Sequence, residues 1–424
     1  MIQPDKHPAF NGLAREAPGD WKMILTPWTV PESAGTLGLL SKFQQEEQMK
    51  RIMIWIAAGS LLAALAIAQE AKQYTLTDLG VVGNAGGPYS INKSGLISGA
   101  AATTSGTVSQ AVLWYSGVEH VIGSGLGGPN SAAFGVNELG LTVGEAETSV
   151  YNSEDFCGFN AYGFPSSTAC VPFLWQNGVG MAALPTLGGA NGVANKINLQ
   201  GQVAGYAENQ TQLQGCPVAQ FLPVIWTHAT IQQLPMYAGD QVAAAWSIND
   251  EGQAVGISGP CSAFNPDLGL YMVDSHALLW ENGEVTNLGN LGGDGSFGGN
   301  HACAINNLGQ VVGHSDLIGD TTFHAYIWTK VTGMKDIGTL VGDFASLSLD
   351  INDGGTVVGD SFSSTFSSRA FVWSDGVMTD LNNLVPADSA LYLLQAININ
   401  VSGQIAGYGV DGNGNLHGFL ATPR

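Results

Sequence analysis

Along residues 74–424, apolar and polar positions alternate in short runs of about five residues, each closed by Gly, Asn, Asp or Ser. Nowhere do they settle into the 3.6-residue period of an amphipathic helix. Short strands and tight turns are therefore predicted throughout. One phrase, apolar-Asn-x-x-Gly-x-apolar-x-Gly, recurs seven times: INKSGLISG (91–99), VNELGLTVG (136–144), INLQGQVAG (197–205), INDEGQAVG (248–256), INNLGQVVG (305–313), INDGGTVVG (351–359) and INVSGQIAG (399–407). Its Asn residues stand at 92, 137, 198, 249, 306, 352 and 400, spaced by 45, 61, 51, 57, 46 and 48. A second phrase interleaves with it: AVLW (111–114), PFLW (172–175), PVIW (223–226), ALLW (277–280), AYIW (325–328) and AFVW (370–373), with GFLA (418–421) in the seventh place. A third element is TDLG at 77–80, with relatives at 287–289, 336–338 and 380–382.

Each unit thus supplies four short strands. Asn-x-x-Gly reads as the hairpin between the second strand and the third, and Trp-x-x-Gly, as in WENG (280–283), as the turn from the fourth strand to the next unit. Tight hairpins impose antiparallel meanders, which disfavours a parallel β-helix. Four antiparallel strands per repeat of 45–61 residues predict an all-β fold, a seven-bladed β-propeller of four-stranded antiparallel repeats. Ring closure would pair Tyr74–Gly80 with His417–Ala421, so that no sheet edge stays open. Because they recur in every unit, the Trp and Asn of these phrases read as packing and turn residues rather than as chemistry.

The same residues carry a family resemblance. His276-Ala277-Leu278, His324-Ala325-Tyr326 and His417-Gly418-Phe419, together with the Leu-Gly and Ile-Asn-x-x-Gly-x-Val-Val-Gly phrases, resemble the extracellular HAF-repeat proteins of bacteria. Arg369-Ala370-Phe371 keeps two of the three name-giving residues, and Gln110, Val171 and Leu222 depart further at the His position. The resemblance spans about 74–424 and implies an exported repeat protein; it implies no particular activity.

Composition narrows the partners. The 424 residues carry 13 Lys+Arg against 34 Asp+Glu, a net charge of −21, and only 11% charged residues. So few cations exclude a nucleic-acid binder, which needs a basic face. At the N-terminal end, Lys50-Arg51, the apolar run Ile52–Leu65 and Ala66-Ile67-Ala68 have the order of a signal peptide, with cleavage expected between Ala68 and Gln69. Met49 stands directly before it and is expected to be the true start, with residues 1–48 a mis-read leader, 49–68 the signal peptide and 69–424 one propeller. A secreted, extracellular protein follows, without a stable membrane span after processing and expected to be a monomer.

Departures from the repeat mark the candidate site. From the last Gly of each Asn phrase to the Trp slot, the seven units run 15, 31, 21, 24, 15, 14 and 14 residues, so units two, three and four carry insertions at one shared connection. That connection should emerge on the face opposite the Asn turns. Cys157, Cys170, Cys216 and Cys261 all lie in these insertions, and Cys157–Cys170 with Cys216–Cys261 is the favoured pairing of three; Cys303 reads as a small buried hydrophobe. Tyr151, Asp155, Phe159 and Tyr162, with Phe156 and Phe164, crowd the first insertion, and Phe264, Asp267 and Tyr271 the third. Exposed aromatics among Gly, Ser and Asn suit an extracellular glycan or protein partner, while the lack of basic residues there disfavours a polyanion. A binding or structural module is expected, with no catalytic set, cofactor or metal. The alternative is a glycan- or polymer-acting hydrolase or lyase using Asp155, Asp267 and Asp274 as acid and base. LGGDGSFGG at 291–299 lacks the second Asp of a calcium loop and reads as a Gly-rich turn.

Overall fold

A computed structural model describes residues 74–424, apart from Ser124, Ala229 and 266–270. The expected leader, signal peptide and cleavage site at Ala68 and Gln69 lie outside the described residues. Seven four-stranded antiparallel sheets form a β-propeller. In blades one to six the strands follow chain order from the axis outward, beginning with Gly87–Ile91, Gly127–Val136, Gly192–Ile197, Val242–Ile248, Asn300–Ile305 and Ala345–Ile351. Blade seven begins with Tyr392–Ile399 and takes its outermost strand, Tyr74–Val81, from the other end of the chain. The first strands of neighbouring blades touch one another all round the ring, blade seven to blade one included, and so line a central channel.

Ring closure follows the expected pairing. Tyr74 lies opposite Pro423, Leu76 opposite Ala421 and Val81 opposite His417. The phase of the repeat, however, differs from the sequence reading by one strand. Trp-x-x-Gly does not lead out of a blade; its last two residues form a hairpin between the third and fourth strands of the same sheet. Ser116 and Gly117, Asn282 and Gly283, and Asp375 and Gly376 all have positive φ there, as the two-residue turn matched to strand twist requires. A two-residue loop can only join adjacent antiparallel strands, so the TDLG-type strand is the outer edge of the blade before it.

The Asn-x-x-Gly turns gather on one face, hereafter the hairpin face. In each, the Asn Oδ1 accepts the amide four residues on, as from Leu96 and Gln310, while Gly95 and its six counterparts hold φ between 72° and 83°. The Asn amide does more than cap its own turn. Asn92 Nδ2 donates to the carbonyl of Asn137, Asn137 to Asn198, Asn198 to Asn249, Asn249 to Asn306, Asn306 to Asn352, Asn352 to Asn400, and Asn400 back to Asn92, all at 2.9–3.1 Å. Seven buried side chains thus close a hydrogen-bonded circle that staples every blade to the next.

The Trp slot packs between blades as expected. Trp114 and Trp226 are fully buried, and their indole N–H groups donate to Leu79 O and Pro185 O, in the strand or loop that leads from the preceding blade into their own. His276, His324 and His417 do not meet. Each sits in its own blade with its own carboxylate, Asp240, Asp336 or Asp78, at 2.9–3.0 Å. Arg369, in the fourth such place, pairs with Asp343 and Asp380. In the loop at 291–299, Asp316 accepts the amides of Phe297 and Gly298, and Asp320 those of Asp294 and Gly295; these carboxylates hold the turn by its own backbone.

Candidate binding site

Every first strand carries a β-bulge at the same register, just before the Asn phrase, and those of blades two and seven carry a second irregularity further along. Opposite each bulge stands the last Gly of the phrase, whose missing Cβ leaves room for a first-strand carbonyl; at Gly144 a methyl would overlap the carbonyl of Ala132. The bulge lets one extra residue per blade turn toward the axis. These seven residues, Tyr89, Phe134, Asn195, Trp246, Cys303, Leu349 and Ile397, all line one cavity of about 460 Å³. It occupies the end of the channel away from the Asn turns. A smaller cavity of about 160 Å³ lies at the hairpin face, and Lys196, Asp350 and Asn398 border both, marking the constriction between them.

The inserted connections roof the larger cavity. Both expected disulfides are present, Cys157–Cys170 inside the blade-two insertion and Cys216–Cys261 between blades three and four. They draw the first insertion inward rather than leaving its aromatics on the rim. Phe156, Phe159 and Phe164 are buried; Phe156 packs on Tyr206 and Phe221 at ring separations of 5.7 and 6.1 Å. This corrects the expectation of an exposed aromatic surface: a short covalent loop over an apolar channel buries rings that would otherwise face water. Tyr151 remains exposed, and Tyr162, half-exposed, reaches the cavity wall. Asp155 caps its own loop, accepting the Asn160 amide at 2.9 Å. Phe264 and Tyr271 lie in a two-stranded ribbon, Phe264 opposite Met272 and Asn265 opposite Tyr271, and Asp267 lies outside the described residues. The structure therefore gathers Phe159, Tyr162 and Cys157 at the cavity, and places Tyr151 on the surface. Cys303 is a channel residue rather than a core one; burial, then the nearby Asp360, pushes its thiol up to about 12, so it is a neutral, unreactive wall.

Three polar groups of the wall, Glu145, Tyr206 and His314, come from second strands, at the residue just after the repeat Gly. Asp360 and Tyr408 hold the same place in blades six and seven. His314 donates from Nε2 to Gly298 O at 3.1 Å, and burial and the adjacent His301 hold it neutral, well below the usual imidazole range. Its Nδ1 has no hydrogen-bond partner among the described residues, nor has the Trp246 Nε1 donor. Glu145, 5% exposed, is raised well above the carboxylate range by burial and by Asp155 and Glu147. The grouping of Glu145 with Cys157 and Cys170 has the proximity of a metal site, but the two sulfurs are bonded to each other and only the carboxylate is left to ligate. These wall residues escaped the sequence reading because no local motif contains them. The signal that finds them is the list of residues at fixed offset from the repeat Gly and Asn, read across blades for what does not repeat.

No family model matches the chain, and no curated protein does. Similar solved structures include the β-propeller domain of the Trilobed protease from Pyrococcus furiosus, at 14% identity and a TM-score of 0.42 over 69% of this chain and 80% of that one. Others are the acylaminoacyl peptidase of Pyrococcus horikoshii, at 11% and 0.37 over 80% and 57%, and the Trypanosoma rangeli sialidase, at 9% and 0.34 over 68% and 53%. The class of the protein is that of its own topology: a seven-bladed β-propeller closed by the strand Tyr74–Val81 and roofed by disulfide-braced loops.

Proposed function

We propose that the chain is an exported HAF-repeat propeller acting as an extracellular binding module, whose ligand enters the loop-face end of the channel. The observation that carries this reading is the 460 Å³ cavity, walled by Tyr89, Phe134, Tyr206 and Trp246 and holding polar atoms without a partner among the described residues. A concave, mostly apolar pocket with a few convergent polar groups is the usual form of a small-ligand site. Export is supported by the two disulfides, which persist in oxidising compartments, and among the described residues no helix is long and apolar enough to cross a membrane. The binding role of the outer aromatics gives way to the channel, since three of them are spent on packing.

The test is to fill the cavity. Ala132→Trp and Ala304→Trp each put an indole into the channel from a first strand. A glycan array and a small-molecule thermal-shift library are screened on the wild type, and each hit is repeated on both variants. Hits that vanish in variants with an unchanged circular dichroism spectrum support the channel. Hits that survive in both folded variants refute it.

A further inference from the structure

We propose that the ligand of this channel is an organic cation, its charged head seated against Glu145 and enclosed by Tyr89, Phe134, Tyr206 and Trp246. The inference rests on the channel being the binding site and goes on to name what binds there. Glu145 sits on the second strand of blade two, opposite Ala132 of the first strand, and its carboxyl opens into the cavity. No donor among the described residues bonds to that carboxyl. Buried carboxylates are otherwise paired or hydrogen-bonded. The neighbouring Glu147 shows the usual solution, taking Asn130 Nδ2 at 2.9 Å and the Ser166 hydroxyl. Glu145, two residues nearer the Asn turn on the same strand, has been left without one.

What surrounds Glu145 is suited to a cation and to nothing negative. Tyr89, Tyr162 and Tyr206 lie close enough for its charge to act on their hydroxyls. Tyr89 meets Phe134 edge to face, with ring centroids 5.0 Å apart, and Phe156 meets Tyr206 at 5.7 Å. Aromatic faces round a desolvated cation attract it through their quadrupoles. The charged groups that act on Glu145 are Asp155 and Glu147, both negative. Lys196, the channel's own cation, lies at the constriction, where its charge acts on Asp350 instead. The ligand's charge would thus complete an ion pair that the chain leaves half made.

The probes are choline, a quaternary ammonium with a hydroxyl, and 3,3-dimethyl-1-butanol, which has the same shape without the charge. Calorimetry on the oxidised chain at pH 7 should show choline binding at least tenfold more tightly than the alcohol. It should also release protons, seen as a heat that varies with buffer, because the cation ionises Glu145. Glu145→Gln, which keeps the shape and removes the charge, should lose the tenfold preference and the proton release. Phe134→Leu keeps the carboxyl and should weaken choline three- to tenfold without weakening the alcohol. Equal binding of both probes, lost in the Trp-filled variants, would overturn the cation while leaving the channel standing. Absence of choline binding to a wild type that binds other library members in the channel would overturn it equally. Choline binding unchanged in a folded Glu145→Gln protein would show that the cation sits elsewhere and end the proposal.

Discussion

The two ends of the channel are built by opposite rules. At the hairpin face seven identical Asn residues make seven identical bonds, and the side chain of each is satisfied by its own turn and by the next blade. At the loop face the equivalent places hold Glu145, Tyr206, Ile257, His314 and Asp360, no two blades share a connection of the same kind between units two and four, and polar atoms are left over. Repetition satisfies; departure leaves valences for something else. The stapled end holds the ring at fixed geometry, and the other end can then afford a wall of mismatched, desolvated groups.

The largest effect should come from the strand that both ends depend on. Deleting 416–424 removes the third strand of blade seven, together with the seat of Tyr74–Val81, and opens the ring between blades seven and one. Urea unfolding followed by tryptophan fluorescence and by circular dichroism should then lose its single cooperative transition, because no intact blade bridges the gap. A truncated chain with the wild-type midpoint and slope would show that closure is ornamental and that the blades stand alone.

A smaller effect should separate the two faces by pH. Asp360, fully buried at the loop-face end of its strand, is pushed up to about 7 by burial, although Gln395 and Ser368 donate to it. Glu208 is pushed up to about 8 by burial and by Glu154, against the opposing bonds from Asn191. Both groups hold a proton in the folded state over a range where the unfolded chain has released it. Their contribution is therefore fully present below about pH 4 and is lost as pH rises through 7 and 8. Moving a fully buried carboxyl from 3.8 to about 7 is worth roughly 4 kcal/mol across that span. Urea unfolding should accordingly show lower stability at pH 8.5 than at pH 5, with part of the slope removed in Asp360→Asn. A flat or rising profile would mean that these acids reach water or unseen partners.

What was legible beforehand follows the same division. Blade number, strand direction, the closing pair and both disulfides could be read because each is written either as a repeat or as an interruption of one. The function of Asn92 and its six counterparts was half legible: the turn is local, but the bond from Asn92 to Asn137 joins residues 45 apart and depends on ring curvature. The phase of the blade is not legible, because turn chemistry tells which strands are neighbours, not which of them is innermost. The bulge was invisible, since nothing in Tyr89, Phe134 or Trp246 marks an extra residue until the second strand is laid beside it. Glu145 has no such mark: Asp155 and Asp267 lie in conspicuous insertions, while the desolvated acid stands in an ordinary strand.

The smallest effect tests whether the hairpin face is a true circle or seven separate turns. Asn306 Oδ1 accepts from Leu308 and Gln310, which is the turn, while its Nδ2 donates to Asn352 O and to Gln310 Oε1, which is in part the circle. Asn306→Ala removes both and should destabilise the ring by about 1–3 kcal/mol, the usual effect of stranding buried partners. Asn306→Asp keeps the two turn acceptors and changes only the donor. At pH 8 its carboxylate would face the Asn352 carbonyl and the Gln310 oxygen, two acceptors with nothing to accept from. Protonated at pH 4, the same group can donate again. Burial against acceptors raises the folded-state pKa of such an acid, so its stability is present at low pH and lost as pH rises. Measured relative to wild type at each pH, Asn306→Asp should therefore be close to neutral at pH 4 and about as damaging as Asn306→Ala at pH 8. If the Asp variant instead matched wild type at both, the turn alone would account for the Asn, and the bonds from blade to blade would contribute nothing to holding the propeller closed.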